Sequence, residues 1–447
     1  MDNLSRRGHS NVIETMAQLP KAMLESIDDD TDGRGYQEPI DLSVAENWLI
    51  REEVLGIGKL AIEKHFDGQH LSMPTDFWGN PRLLKLLANL FNRYFAPKIP
   101  VRQAHIAVSS GAATCLDTLL WNICDEGDGV LIPGPYWNGY DIHCRNRSAT
   151  RPILVSCPRL QDAFSMALIP ALEETFASSS CTIKALILTN PHNPLGQCYP
   201  KRVLEECLRF CQRRNIHLIS EEIFALSTFN PSRVDLPEPR RFVSMLAVDP
   251  TALGCDPGRV HVVWSMSKDF AAAGIKLGCT VTQANPALRD GLAMATSMNV
   301  STLSTVFASA LLSSESLPAL VKLNSVRLAE AYDTLTTFFD RHGIYYIPCN
   351  AGHFVLAKLA PQASSGDDEA ALISRLSEAG VLVSPGRAYH VGENGWARVS
   401  FAVERATLKE AIRRMKCVLP WAPNLLPGTR PGNDGNGCAT SNTERLH

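Results

Sequence analysis

Lys268 stands in the run Trp264-Ser265-Met266-Ser267-Lys268-Asp269-Phe270, eight residues before Lys276-Leu277-Gly278. A lysine just past a β-rich segment (His261, Val262, Val263), between small hydroxyls and an Ala/Gly stretch, suits covalent capture of a carbonyl. That chemistry needs a pocket that lowers the amine's pKa, and the serine hydroxyls can hold a phosphate nearby. The same run also fits a solvated surface lysine, so its neighbours in the sequence have to decide.

Four further clusters fall at or near predicted strand ends, where open α/β sheets bind their ligands. Ser109-Ser110-Gly111-Ala112-Ala113-Thr114 ends a strand and starts a helix, which offers backbone N–H groups to a phosphate. Pro133-Gly134-Pro135-Tyr136-Trp137 puts aromatics on a rigid turn, suited to stacking on a planar ring or to core packing. Asn190-Pro191-His192-Asn193-Pro194-Leu195-Gly196 is more specific, because two Asn-Pro pairs fix the backbone and aim an amide donor. Ser220-Glu221-Glu222-Ile223 places two adjacent carboxylates at a strand end, a costly arrangement unless one meets a buried cation. Later, Arg398 alternates out of the apolar run Gly395-Trp396-Ala397-Arg398-Val399-Ser400-Phe401. An inward-facing arginine there needs an anion, either a substrate carboxylate or a structural ion-pair partner.

The elements that must position these groups alternate between strand and helix. Strands are predicted at His105–Ser109, Val130–Ile132, Ala185–Leu188, His217–Ile219 and Val260–Trp264, and helices at Ala112–Cys124 and Val203–Arg214. Continuous apolar strands between helices predict an α/β fold with a mostly parallel sheet covered on both faces. After about residue 320 the pattern changes. A long helix (Pro318–His342) leads to strands near Tyr345, Phe354 and Val381 and at Ala397–Phe401, as expected of a smaller α+β domain that Leu42–Glu46 can join. The expected organisation is an N-terminal arm (1–35), a large domain (60–320), a small domain (36–59 and 321–419) and a disordered tail (420–447), the last rich in Pro, Gly and Asn.

The bulk numbers bound the function class. The 447 residues give ample core, with 45% hydrophobic and 20% charged residues, as in ordinary globular proteins. A net charge of -3 gives no electrostatic reason to bind nucleic acid or an anionic membrane. No apolar run reaches the length of a membrane span. The N-terminus lacks the apolar core of a signal peptide, so a cytoplasmic location is expected. The 13 cysteines are scattered without CxxC pairs, as expected of reduced, mostly buried thiols.

The order of a Gly turn, a Pro-Tyr-aromatic turn, NPxNPxG, a strand-end acid, SxSK and a late arginine resembles the fold-type-I pyridoxal-phosphate enzymes. More narrowly, it resembles the 1-aminocyclopropane-1-carboxylate synthase-like branch of the class I and II aminotransferases. Val44-Ala45-Glu46-Asn47, Asn350-Ala351-Gly352-His353-Phe354 and Ser384-Pro385-Gly386 support that branch. The similarity covers residues from about 36 to 417. It implies pyridoxal 5'-phosphate as cofactor, joined to Lys268 as an aldimine, with Lys268 also moving the proton at Cα. Ala112, Ala113, Ser265, Ser267 and Lys276 would surround the phosphate, Trp137 would stack on the ring and Asn193 would donate to O3′. Glu221 would pair with the ring nitrogen, Arg398 would clamp the substrate carboxylate and Glu46 would face the substrate side chain. A homodimer acting on an amino acid or a modified amino acid is also implied, with the Phe77 loop reaching the neighbouring site.

Four positions depart from the family pattern. Glu221 stands where aspartate is usual, Phe224 replaces the tyrosine that donates to O3′, Lys276 replaces the phosphate arginine, and Phe77 replaces the tyrosine of the neighbouring subunit. Each change keeps size or charge and loses a directional hydrogen bond. That pattern suits retuning toward an aminotransferase-like reaction in specialised, secondary metabolism. The alternatives are carbon–sulfur β-elimination from a cysteine conjugate, cyclopropane formation, and a non-catalytic homologue.

Overall fold

The computed structural model describes residues 3–18, 39–74, 76–232, 240–296 and 299–419. The tail expected at 420–447 and part of the expected N-terminal arm lie outside the described residues. Strands are numbered here in chain order. The first, β1 (Ile40–Asp41), pairs far along the chain. The next seven are β2 (Ile106–Ser109), β3 (Gly129–Pro133), β4 (Arg151–Val155), β5 (Ile183–Thr189), β6 (His217–Glu221), β7 (Val260–Ser265) and β8 (Gly278–Val281). Together they form one sheet of order β2-β8-β7-β6-β5-β3-β4. All pairs are parallel except those of β8, which runs antiparallel to both β2 and β7.

Alternation along these strands explains why both faces are covered. Leu186, Leu188, Leu218, Val262 and Trp264 point into one apolar core, and Ala185, Ile187, Ile219 and Val263 into another. Each of these side chains is essentially unexposed. Burying a residue of this size contributes about 1.5–3 kcal/mol. Helix 201–214 closes one face because Val203, Leu204, Cys207, Leu208, Phe210 and Cys211 recur at helical spacing, and Asn215 ends it in a left-handed turn.

Two strands of this sheet escaped the sequence pattern. β4 begins Arg151-Pro152 and lies at the sheet edge with little burial, where proline is tolerated and alternation fades. β8 is a short Gly-Cys-Thr-Val run that reads as a loop until its pairing is known.

A second core gathers Leu42, Leu328, Leu335, Phe339, Val355, Val399, Leu408 and Met415. It joins helices 317–341 and 405–418 to β9 (Phe354–Lys358), β10 (Val381–Leu382), β11 (Ser384–Pro385) and β12 (Trp396–Ser400). The order β11-β12-β9 is antiparallel, and β1 pairs parallel with β10 through Ile40 and Val381. The segment after β1 is laced to this unit: Leu42 N donates to Leu382 O at 2.8 Å and Ser400 N donates to Leu42 O at 2.9 Å. Residue Tyr345, expected in a strand, is outside one; its neighbour Tyr346 makes a single bridge to Ala357.

In the N-terminal region, Arg6–Gln18 is a helix, held to helix 139–146 where Asn11 Nδ2 donates to Asn146 O at 2.8 Å. The described cysteines are free thiols, most of them buried, with Cys417 exposed. Among the described residues no single helix is long and apolar enough to cross a membrane.

Candidate active site

Three neighbouring strands end at one cleft. Thr189 and Glu221 are cross-strand partners at the ends of β5 and β6, and Ser265 ends β7 immediately before the short helix Met266–Asp269 that carries Lys268. Helix 266–269 is anchored from behind by Asp269, which accepts from Trp264 Nε1 at 2.9 Å, Ser227 Oγ at 2.7 Å and Leu226 N at 3.1 Å. Burial raises the Asp269 carboxyl to about 7 despite these donors.

Lys268 is half-buried, and its Nζ donates to Ala45 O at 2.7 Å. Loss of solvent, helped by the Arg398 charge and opposed by Glu46 and Glu221, lowers its amine to about 8. The consequence is chemical. At pH 7 roughly a tenth of such amines are neutral, against about one in three thousand for an ordinary lysine.

Glu221 is buried and accepts a hydrogen bond from the phenol of Tyr140, which also meets Thr189 Oγ1 at 2.7 Å. Burial raises the Glu221 carboxyl to about 7; the Tyr140 hydrogen bond and the Lys268 charge pull it the other way. Glu222 turns to the other side. It accepts from Ser220 Oγ at 2.7 Å, Ser244 Oγ at 2.5 Å and Met245 N at 2.7 Å, and burial raises it to about 7 as well. The expectation that a buried cation compensates this acidic pair therefore needs correction. Neutral donors satisfy Glu222, and Lys268 reaches Glu221 only through its charge.

Arg398, on β12, is 4% exposed and sandwiched between the rings of Phe354 and Tyr389, 4.7 and 4.8 Å from its guanidinium carbon. Its Nη1 donates to Asn193 Oδ1 at 3.0 Å, its Nη2 donates to Ser43 O, and its Nε lacks a partner. The bond to Nη1 fixes the Asn193 amide with Oδ1 toward the arginine, which leaves its Nδ2 free to donate elsewhere. Two cis Asn-Pro bonds bracket Asn193 in this loop, Asn190-Pro191 before it and Asn193-Pro194 directly after it. Phe224 is fully buried edge-on against His353 and Phe354 at 5.2 and 5.4 Å. Trp137 lies edge-on to Tyr140 at 5.8 Å and covers Gly139, where any Cβ would collide with its ring.

The helix at Ala112–Ile123 opens on Gly111, whose φ of 112° requires glycine. Its first backbone bond runs from Cys115 N to Gly111 O, so the amides of Ala112 and Ala113 face out of the positive helix end. Gly278 of β8 packs against this turn so closely that a Cβ would lie 2.7 Å from Gly111 C and 2.9 Å from Ala112 N. Ser265 caps helix 266–269 without a side-chain bond. Lys276 is exposed, in a left-handed turn two residues before Gly278. Glu46 pairs with Arg51 at 2.8 Å while still acting on Lys268 through its charge.

Phe77 stands apart. It is 43% exposed on the loop before helix 81–94, stacked edge-on against Trp78. It lines a separate cavity of about 530 Å³ with His70, Met73 and Asn299. Sequence reasoning missed Tyr140, Thr189 and Tyr389, and the carbonyls of Ser43 and Ala45. Tyr140 had a signal, three residues after Trp137 on the helix that follows the aromatic turn; a main-chain carbonyl has none.

A seven-stranded α/β sheet carries a lysine and a strand-end acid at its strand ends, facing a buried arginine from the second core, and most of the chain matches one family. The chain belongs to the aminotransferase class I and II family, whose model matches residues 40–415. It is 48% identical to "Probable aminotransferase aclI" of Aspergillus oryzae, across 93% of this chain and 98% of that protein. It is 35% identical to "Trimodular acetylaranotin synthesis protein ataIMG" of Aspergillus terreus, across 87% of this chain and 39% of that longer protein. A Thermus thermophilus aspartate aminotransferase variant shares the fold at 23% identity with a TM-score of 0.74, across 94% of this chain and all of that one. The fold class read from the sequence, α/β with a mostly parallel sheet, is that of this aspartate aminotransferase.

Proposed function

We propose that this chain is a pyridoxal-phosphate-dependent enzyme that removes the amino group of an α-amino acid, or a modified amino acid, by amino transfer in a pathway of specialised metabolism. The observation that carries this reading is the meeting of Lys268, Glu221 and the Arg398–Asn193 pair in one cleft, with the Lys268 amine lowered to about 8. The residues present fit the cofactor. Gly278 lets β8 pack directly against the Gly111 turn at the positive helix end where Ala112 and Ala113 offer amides, and Ser265, Ser267 and Lys276 would supply further donors to a phosphate. Trp137 would stack on the ring, Asn193 would donate to O3′ and Glu221 would meet the ring nitrogen. When bound, the cofactor supplies an electron sink that lets the substrate's α-carbon lose its proton.

The chain's own residues do the rest. Lys268, neutral more often than an ordinary lysine, takes that proton and returns it. Arg398 exchanges its bond to Ser43 O for the substrate carboxylate, a planar fork meeting a planar acid. Glu46 and its partner Arg51 border the substrate side chain. A homodimer would bring the exposed Phe77 loop, with Leu71 at 79% and Met73 at 73% exposure beside it, against a neighbouring subunit. The reading as specialised metabolism draws on the Aspergillus terreus relative, an acetylaranotin synthesis protein, and on the four departures at Glu221, Phe224, Lys276 and Phe77.

The test offers the purified enzyme two substrates. An amino acid with a keto-acid acceptor should exchange amino groups. Pyruvate and ammonia from a cysteine S-conjugate, with no exchange in the first assay, would replace transfer by carbon–sulfur elimination. A protein that shows neither, and no cofactor absorbance, would be a non-catalytic homologue.

A further inference from the structure

Glu221 is one methylene longer than the acid usual at its position, and the cleft wall has an answer to that length. Tyr140 lies on helix 139–146, fully buried, with its hydroxyl between two strand ends. The phenol meets Thr189 Oγ1 at 2.7 Å and donates to Glu221 Oε2. Thr189 is the cross-strand partner of Glu221, so the phenol bridges the side chains of two neighbouring strand ends, β5 and β6. The same Tyr140 ring supports Trp137 edge-on at 5.8 Å. One side chain thus braces both the stacking aromatic and the acid of the proposed cofactor site. A phenol in contact with a buried carboxylate keeps its own proton; burial and the Glu221 charge both raise Tyr140. It therefore donates a neutral hydrogen bond and adds no charge to the site.

We infer that Tyr140 is the positioning residue for Glu221: its phenol, held by Thr189, fixes the longer carboxyl at the strand end and favours the carboxylate over the acid, so that the ring nitrogen of the cofactor keeps its proton. This rests on the pyridoxal-phosphate reading above. The physical step is a choice of site for one proton. When the Tyr140 bond stabilises the carboxylate, the proton stays on nitrogen as N–H; without that bond it passes to Glu221 as O–H. Thr189 orients the phenol and acts one bond further away.

The experiment uses the full chain reconstituted with pyridoxal phosphate labelled with ¹⁵N in the ring, reading the nitrogen chemical shift and, separately, the cofactor's dissociation constant. Wild type should show a protonated nitrogen. Tyr140→Phe, which keeps the ring, should move the shift toward neutral pyridine and weaken cofactor binding by roughly tenfold, as for loss of a hydrogen bond to a charged group. Tyr140→His restores a donor and should recover the protonated shift in large part. Thr189→Val should move the shift the same way by less, and it carries the test if the Tyr140 variants do not fold. An unchanged nitrogen shift in a folded Tyr140→Phe, or in Thr189→Val standing alone, overturns the proposal even if binding weakens, since Tyr140 would then only pack. A wild-type chain that binds no cofactor overturns the proposed function itself, a result distinguishable from either.

Discussion

The two walls of the cleft hold their charged groups differently. On the wall built from strand ends, side chains hold side chains: Tyr140 and Thr189 brace Glu221, while Trp264 and Ser227 brace Asp269 behind Lys268. On the wall built from the second core, main-chain carbonyls occupy the cations. Ser43 O accepts from Arg398 and Ala45 O accepts from Lys268, both from the segment that follows β1. A carbonyl is a weaker partner for a cation than a carboxylate, and Arg398 keeps an unpartnered Nε. The first wall is therefore preorganised, and the second is arranged to trade its partners for a ligand.

The largest break in this comparison is Lys268→Ala. It should abolish the cofactor's covalent attachment and lower turnover by at least a thousandfold, as for loss of a positioned base, with the fold retained. Absorbance of the purified variant and its circular dichroism read the two effects separately. Full turnover without Lys268 would remove the first wall's central group from the chemistry.

Next is Arg398→Met. Loss of a buried fork that binds a carboxylate costs about 2–5 kcal/mol, roughly thirtyfold to several thousandfold in kcat/KM. Arg398→Lys should recover little of this, because an ammonium cannot match the planar acid. Cofactor affinity should change far less than substrate affinity. A variant that loses both equally would make Arg398 a structural cation, with the sandwich of Phe354 and Tyr389 its purpose.

The same contrast explains what was legible in the sequence. The preorganised wall is written in side chains at strand ends, so Lys268, Asn193, Glu221 and the turn at Ala112 stand out by residue type and neighbours. Arg398 on the second wall could be read because an arginine inside an apolar strand is expensive. The partners Ser43 and Ala45 act through carbonyls, and any residue has one. Tyr140 resembled a core aromatic because the bond that distinguishes it reaches across 81 residues of sequence to Glu221. β8 escaped for a related reason: its role is to bring Gly278 against Gly111, a matter of close approach and not of hydrophobic pattern.

A finer probe of the boundary between the walls is Glu46→Gln. Glu46 raises the Lys268 amine, whereas Arg398 lowers it. Removing the carboxylate also frees Arg51 of its partner, adding positive charge of the same effect. The Lys268 titration should then move below about 8, measurable as the pH dependence of cofactor attachment to the apo-protein. Attachment requires the neutral amine, so the variant should reach its full rate at lower pH than wild type. A midpoint moved upward would mean that Glu46 and Arg51 do not share the field of the cleft.

The smallest effect tests the preorganised wall by itself. Glu222 is raised from 4.5 to about 7 by burial, above its unfolded value. Its contribution to stability is therefore fully present below about pH 4.5 and is lost as the pH rises through about 7, where the folded state must ionise a buried acid. Glu221 and Asp269 are raised to about 7 by the same cause and add the same slope. Wild-type apo-protein should lose stability as the pH rises from about 4 to about 7, the span between the unfolded and folded values of these three groups. Glu222→Gln keeps an acceptor for the Ser220 hydroxyl and Met245 N and removes one of the three titrations. Its melting temperature should fall less steeply over that range while keeping part of the slope. An unchanged slope would mean that the donors from Ser220, Ser244 and Met245 outweigh burial and hold Glu222 ionised throughout, so that neutral hydrogen bonds alone suffice to keep a buried carboxylate charged beside Glu221.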